Sequence, residues 1–385
     1  MIAPTLFYSN YGCSIRIFNE AEVLTKLGCR VKICTYCKGY DIGGLDIERI
    51  PFTPRFLEPG PSYHRLYLDF LLLLKSFNCA SKFKPNIVHV HLHEGSIIGK
   101  LPSMLNRAKL VFDAQGSLVD ELIRSNYLKK GKAFHHLVSQ IEKALTTFAD
   151  AVITSSSYLA ILIRKEFGVK KEKIFVIRDA VNTEVFTPRK KNNILARKLR
   201  LPLHKKIVVY LGSLSKSQGV DLLLASVPIV VKKYNNSHFL IMGYPDVEKY
   251  RKKSRELGVS RNVTFTGVVD YLNDAASYLA LGDVAVAPKL FTSESNGKVL
   301  LYMAMGLPTI VFDNPSNRGL LGGLGVYANS EDKFSLAEAI ITALSDGDSM
   351  YKLGIKLRDR AEREFAPKVL GEKIIEVYDF VKARR

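Results

Sequence analysis

Short β-branched runs alternate with longer amphipathic segments along this chain. Val31–Thr35, Ile87–His91 (IVHVH), Leu110–Asp113 (LVFD), Ala151–Thr154 and Ile174–Ile177 read as strands. Asn19–Leu27, Leu66–Phe83, Val119–Leu122, Phe134–Phe148 and Tyr158–Phe167 carry the spacing of helices. An opening strand within Met1–Pro4 looks clipped, which predicts a natural start further upstream. The polar, basic, proline-containing stretch Asp179–Lys206 then breaks the rhythm and reads as a linker into a second domain. Strands follow at Ile207–Leu211, His238–Met242, Val263–Thr266, Asp283–Ala287 and Thr309–Phe312. Helices alternate with them at Asp221–Tyr234, Asp246–Leu257, Leu272–Leu281 and Lys298–Met305. Two long amphipathic segments, Lys333–Asp346 and Tyr351–Tyr378, close the chain.

Repeated strand–helix–strand units predict parallel sheets covered on both faces. The expected fold class is α/β: two Rossmann-like domains facing each other, residues 1–180 and 181–364, with Phe365–Arg385 packing back on the first. Ligands of such sheets bind beyond the carboxyl ends of the strands, so the loops just after strands carry the chemistry.

The 385 residues suffice for two such cores. The longest apolar run, Leu66–Leu74 (LYLDFLLLL), contains Asp69 and is too short to span a bilayer, so it predicts a buried helix. No basic-then-apolar leader opens the chain. A net charge of +19 suits nucleic acid, anionic lipid or a phosphorylated ligand. Its denser patches are Lys129–Lys132, Lys170–Lys173 and Arg189–Lys206. No nucleic-acid motif accompanies them, so nucleic acid is not the expected partner. Five cysteines without a leader fit a reducing cytoplasm, and Cys34 and Cys37 read as small strand-end side chains rather than a metal or redox pair.

Five loops could bind a ligand. Gly12 sits between the opening strand and its helix, where backbone can approach an anion. His89, His91 and His93 with Glu94 end the IVHVH strand. Alternation puts His89 and His91 on one sheet face, where zinc is one reading and a hydroxylated ligand another. Gln115 and Ser117 line a polar turn, or Ser117 caps a helix. The loop Gly212–Gly219 offers Ser213, Ser215, Ser217 and Lys216 to a phosphate, without the order of a nucleotide-triphosphatase loop. Last comes Glu294-Ser295-Asn296-Gly297-Lys298: Ser295 or Asn296 can cap the helix, Gly297 leaves its amides bare, and Lys298 adds charge beside the Glu294 carboxylate. Phosphate and hydroxyls together suggest a sugar nucleotide.

Read in order, the Gly12 loop, IVHVH before His93-Glu94, IRDAVNTEVFTP (Ile177–Pro188), LGSLSKSQGVDLLL, VTFTGVV, LGDVAVAP and ESNGKVLLYMAMGLPTIVF resemble the family-4 glycosyltransferases of GT-B fold. The resemblance covers nearly the whole chain. It implies retaining transfer of a hexose from a nucleotide sugar to a glycan, glycolipid or lipid-linked acceptor, with no metal. It places catalytic roles at His91 and Glu294 and donor binding at Gly12, Gly212, Ser213, Lys216 and Ser295–Lys298. The acceptor side is His93, Glu94, Gln115 and Ser117. The expected setting is cytoplasmic, on the inner face of an anionic membrane. The chain also departs from the family. Its usual loop arginine and lysine fall at Ser213 and Gln218, so Lys216, Lys289 or Lys298 would have to substitute. Its two glutamates eight apart, counted back from Met303–Gly306, fall at Ser293 and Leu301, with Glu294 one residue from the first. These losses open an alternative, a non-catalytic GT-B-like subunit of a glycosylation complex; an epimerase or phosphorylase on the same scaffold is a third.

Overall fold

The structure is a computed structural model and describes residues 1–51, 64–124, 127–129, 131, 133–290 and 293–384. Lys130 and Lys132 of the basic patch, and Arg385, lie outside the described residues.

Two parallel sheets form. The first contains β1 (Ile2–Ala3), β2 (Lys32–Thr35), β3 (Asp46–Arg49), β4 (Ile87–His91), β5 (Lys109–Ala114), β6 (Ala151–Thr154) and β7 (Ile174–Val176). Its order is β3-β2-β1-β4-β5-β6-β7. The second contains β8 (Lys206–Leu211), β9 (Ser237–Met242), β10 (Val263–Gly267), β11 (Val284–Ala287), β12 (Thr309–Phe312) and β13 (Val326–Ala328), ordered β10-β9-β8-β11-β12-β13. The chain divides into two compact units. One comprises Met1–Ala180, Ser293–Ser295 and Pro367–Arg385; the other comprises Val181–Thr292 and Asn296–Ala366.

Among the described residues, six α-helices belong to the first stretch of the N-terminal unit: α1 (Gly12–Lys26), α2 (His64–Phe83), α3 (Leu92–Leu105), α4 (Leu118–Arg124), α5 (Ala133–Thr147) and α6 (Ser157–Phe167). Its sheet is buried on both faces, and the two-residue period of its strands sorts the side chains between them. Val88, Val90, Leu110 and Phe112 face a core shared with Leu72, Leu159 and Ile163. Val111 and Ile153 face the opposite core, with Val23 and Leu24 of α1 and Ile374 and Val377 of the terminal helix, Pro367–Ala383. The second unit packs Val208, Phe239, Val286 and Ile310 against the apolar faces of its own helices, among them Leu223, Val227 and Ile340.

The structure adds elements that the hydrophobic pattern missed. β3 and β13 are edge strands, and α3 follows β4 directly. α1 starts seven residues before the predicted Asn19. The predicted segment Tyr351–Tyr378 is two helices, Gly347–Glu364 and Pro367–Ala383; proline opens the second because a first-turn residue needs no N–H. The Asp179–Lys206 linker contains a short helix, Asn193–Lys198, capped by the Asn192 side chain, which accepts from the amides of Ile194 and Leu195. Cys34 is buried in β2, and all five cysteines are unpaired thiols. The run Leu66–Leu74 is helical but only partly buried: Leu68 and Leu72 are in the core, whereas Leu66, Phe70 and Leu74 face outward. Among the described residues, no helix is long and apolar enough to cross a membrane.

Candidate functional site

In the N-terminal unit, the strand-end residues converge on a buried charge network. Arg16, on α1, reaches the end of β5 and forms two bonds to Asp113, Nε to Oδ2 and Nη2 to Oδ1, each 2.8 Å. Nη1 meets Asp179 at 2.8 Å, and Nη2 also donates to the Ile177 carbonyl. Glu20, one helical turn beyond Arg16, lies 3.1 Å from its Nε. Burial opposes every charge here, but the Arg16 guanidinium holds the Asp113 carboxyl well below its usual range. Burial, reinforced by Asp113, pushes the Glu20 carboxyl well up.

His89 and His91 do share one face, as alternation requires, with rings stacked 4.6 Å apart. His89 Nδ1 pairs with the Tyr378 hydroxyl at 2.7 Å, and His91 Nδ1 with Asp113 Oδ2 at 3.1 Å. Burial lowers the pKa of both, so both rings are neutral at physiological pH. Against the carboxylate acceptor Asp113, a neutral His91 carries its proton on Nδ1, which leaves Nε2 a lone pair with no protein partner. His91 is completely buried. The reason is that the same sheet face is covered by α1 and the terminal helix.

The zinc set of three histidines with Glu94 does not assemble. His93 turns to Glu142, Nε2 to Oε1 at 3.5 Å, and Glu94 to Arg65 at 3.6 Å. Among the described residues, metal-ligating atoms cluster instead at Glu20, His89 and His91. The Arg16 guanidinium already supplies positive charge to that carboxyl.

Glu142 also accepts from the amides of Leu118 and Val119 and pairs with the Ser117 hydroxyl at 3.1 Å. Ser117 in turn accepts from the Asp120 amide. Its capping reading is therefore the observed one, and the hydroxyl is buried rather than presented to an acceptor. Gln115 Nε2 donates to Asp113 Oδ2 at 3.1 Å. Against this turn lies Glu294: a Cβ on Gly116 would sit 2.8 Å from Glu294 Cγ. The Ser293 carbonyl accepts from Ser156 Oγ, and the Ser295 amide donates to Ser155 Oγ. The structure thus brings together Glu294 and the Asp113–Ser117 turn, which nothing local in the sequence joins. Gly12 is exposed at the start of α1, and a Cβ there would touch nothing.

Burial disfavours a charged His93, yet the Glu142 bond outweighs it and raises the imidazole pKa. A raised pKa contributes stability fully present below the unfolded value of about 6.5 and lost as pH rises through the folded value. Urea midpoints of the wild type should therefore fall from mildly acidic pH through neutrality, and His93→Asn should flatten that slope. An unchanged slope in the variant would remove the pair from this role.

The C-terminal unit holds the second constellation. β8 ends at Leu211, whose amide donates to the Tyr302 hydroxyl at 2.8 Å. Gly212 follows with φ of +151°, a backbone that only glycine adopts easily. Lys298 lies over it: a Cβ at Gly212 would be 2.6 Å from Lys298 Cε. Lys298 Nζ reaches Gln218 Oε1 at 2.5 Å and sits 5.3 Å above the Tyr210 ring, whose hydroxyl donates to the Ser213 carbonyl. Ser215 pairs with Ser217 at 2.9 Å and accepts from the Gln218 amide, which fixes the turn Lys216–Gln218. Lys216 is exposed on that turn and Lys289 is buried. Lys298, one of the three candidate substitutes, is thus bonded to Gln218.

Neither Ser295 nor Asn296 caps the Lys298–Ala304 helix; its N-cap is Gly297, with no side-chain bond. The Asn296 amide group donates instead to Asn317 Oδ1 at 3.0 Å and the Ala287 carbonyl, which anchors the loop to the strand ends. The Val299 and Leu300 amides donate to the Asn296 and Gly297 carbonyls. Those two amides of the expected bare set are therefore occupied, and the Lys298 ammonium adds positive charge at this entrance. Ser293 and Leu301 are buried. Counted forward from Glu294, the residue eight on is Tyr302, whose hydroxyl closes the end of β8.

Two Rossmann-like units with parallel sheets, each gathering polar side chains after its strands, define the GT-B class. The chain belongs to the family-4, group 1 glycosyltransferases: residues 12–185 match the model described as Glycosyltransferase Family 4, and residues 205–346 that of Glycosyl transferases group 1. It is 24% identical over 255 residues to the D-inositol 3-phosphate glycosyltransferase of Corynebacterium diphtheriae, a match covering 62% of this chain and 57% of that protein. A sucrose-phosphate synthase from Thermosynechococcus elongatus has the same fold, with a TM-score of 0.84 at 18% identity over 100% of this chain and 98% of that one. So does Anabaena HepE in complex with UDP-glucose, with a TM-score of 0.77 at 14% identity over 98% of each chain.

Proposed function

We propose that this chain transfers a hexose, with retention of configuration, from a nucleoside diphosphate sugar to a glycan, glycolipid or lipid-linked acceptor at an anionic membrane surface on the cytoplasmic side. The observation that carries this reading is Lys298 lying across Gly212 at the end of β8. A glycine there lets a diphosphate approach the backbone, and the ammonium stands where negative charge would develop. When the bond from the anomeric carbon to the diphosphate oxygen breaks, its electron pair goes to the diphosphate. The acceptor oxygen bonds the same carbon, and its proton leaves with the departing phosphate. A fixed cation beside that phosphate lowers the barrier because its attraction grows as the charge forms. Glu294 would accept hydrogen bonds from sugar hydroxyls, and no metal is required by these groups. The UDP-glucose bound by the structurally similar Anabaena protein supports a nucleotide-sugar ligand.

Ser213 and Gln218, which stand where the family carries cations, favour the second reading, a subunit without catalysis. Calorimetric titration with a panel of nucleotide sugars separates the two. The transfer reading expects saturable binding of at least one, weakened in Lys298→Ala. No binding by any of them would sink it.

A further inference from the structure

The outward faces of α2, α3 and α5 carry side chains unlike those of an ordinary solvated helix. On α2, Leu66 (73% exposed), Phe70 and Leu74 recur at i, i+4 and i+8. Ile97, Leu101 and Leu105 repeat that spacing on α3. On α5, Phe134, Leu137 and Ile141 fall at i, i+3 and i+7. Each triplet follows helical periodicity and so forms a stripe along its helix. The three helices are neighbours: α2 packs on α3 and α3 on α5. Lys100 of α3 lies 5.5 Å over the ring of Phe148, just past α5.

The charges on these helices are one-sided. Among the described side chains, none of their carboxylates is fully exposed. Asp69 turns to the Tyr36 hydroxyl, Glu94 sits half-buried beside Arg65, and Glu142 is buried under α4. The exposed ionised groups are Lys82 and Lys143, with Lys84 and Arg107 just past the helix ends.

We propose that this three-helix face docks on an anionic lipid bilayer. The apolar stripes enter the boundary between headgroups and acyl chains, and the lysines and arginine lie among the phosphates. An amphipathic face with a basic margin is the composition that such a surface binds. A second copy of the chain fits less well, because self-pairing would set lysine against lysine with no carboxylate to offset it. The inference rests on the membrane partner named in the proposed function, and not on the transfer reaction.

The test is flotation of the full chain with phosphatidylcholine–phosphatidylglycerol vesicles and with phosphatidylcholine alone, at low salt. The wild type should float with the anionic vesicles and about tenfold less with the neutral ones. The double variant Leu101→Asp, Ile141→Asp should lose about tenfold or more of its partitioning. Lys82→Gln with Lys143→Gln should lose about tenfold, and the more so as salt is lowered. Tyr351→Asp, exposed on the other unit, should float as the wild type does. All five positions are exposed, so each variant should keep the wild-type thermal midpoint. A double aspartate variant that floats undiminished overturns this face but leaves the membrane partner standing. A wild type that never floats overturns both. Self-association abolished by the aspartates, without flotation, gives the face to a second copy and also overturns the proposal.

Discussion

Arg16→Met is expected to destabilise the N-terminal unit by about 3–5 kcal/mol, the cost of stripping a buried charge of its partner. Methionine keeps much of the volume but leaves Asp113 without the two bonds that hold its carboxylate ionised. The pH dependence tells this apart from a packing defect. In the wild type the depressed Asp113 pKa gives stability that is present above the unfolded value of about 3.9 and declines as pH falls through the folded value. Without Arg16, burial raises that pKa, and the sign reverses: stability should then improve as pH falls from neutrality. Urea midpoints across this range read the difference. A variant that loses stability equally at every pH would mean that Arg16 is packing, not a counter-ion.

Lys298→Ala is expected to lower turnover by about tenfold or more, since one well-placed donor to a developing anion is worth at least that. Gly212→Ala should match it for a different reason. The new methyl group needs the place that Lys298 Cε holds, at a backbone angle alanine resists, so the ammonium must move. The loss should appear in kcat more than in KM for both variants. Wild-type kcat in Lys298→Ala would remove this residue from the chemistry, whatever Gly212→Ala does.

The central strands were legible because burial on both faces demands continuous apolar runs, as in Leu110–Phe112 of β5 and Ala151–Ile153 of β6. The edge strands were not. β3 reads Asp-Ile-Glu-Arg, and its carboxylates pair with Lys32 and Lys75, so a single apolar residue, Ile47, is all that announces it. β13 has three residues among glycines. α3 was hidden by Gly95, Gly99 and Pro102; Gly99 is needed there because a Cβ would come within 2.3 Å of Val90 Cγ1. The IVHVH histidines were found, but not what they bond. Arg16 and Asp113 lie 97 residues apart and meet only through the fold. One local signal was available: Arg16 and Glu20 stand four apart on one helix face. The loop before Lys298 misled because Ser and Asn are good caps, and here Asn296 bonds the strand ends instead.

The most direct test is mass-spectrometric detection of nucleoside diphosphate released from a panel of nucleotide sugars, with wild type and Lys298→Ala side by side. The account predicts slow release from at least one donor by the wild type, cut about tenfold or more in the variant. Release from none, or equal release by both proteins, would contradict it.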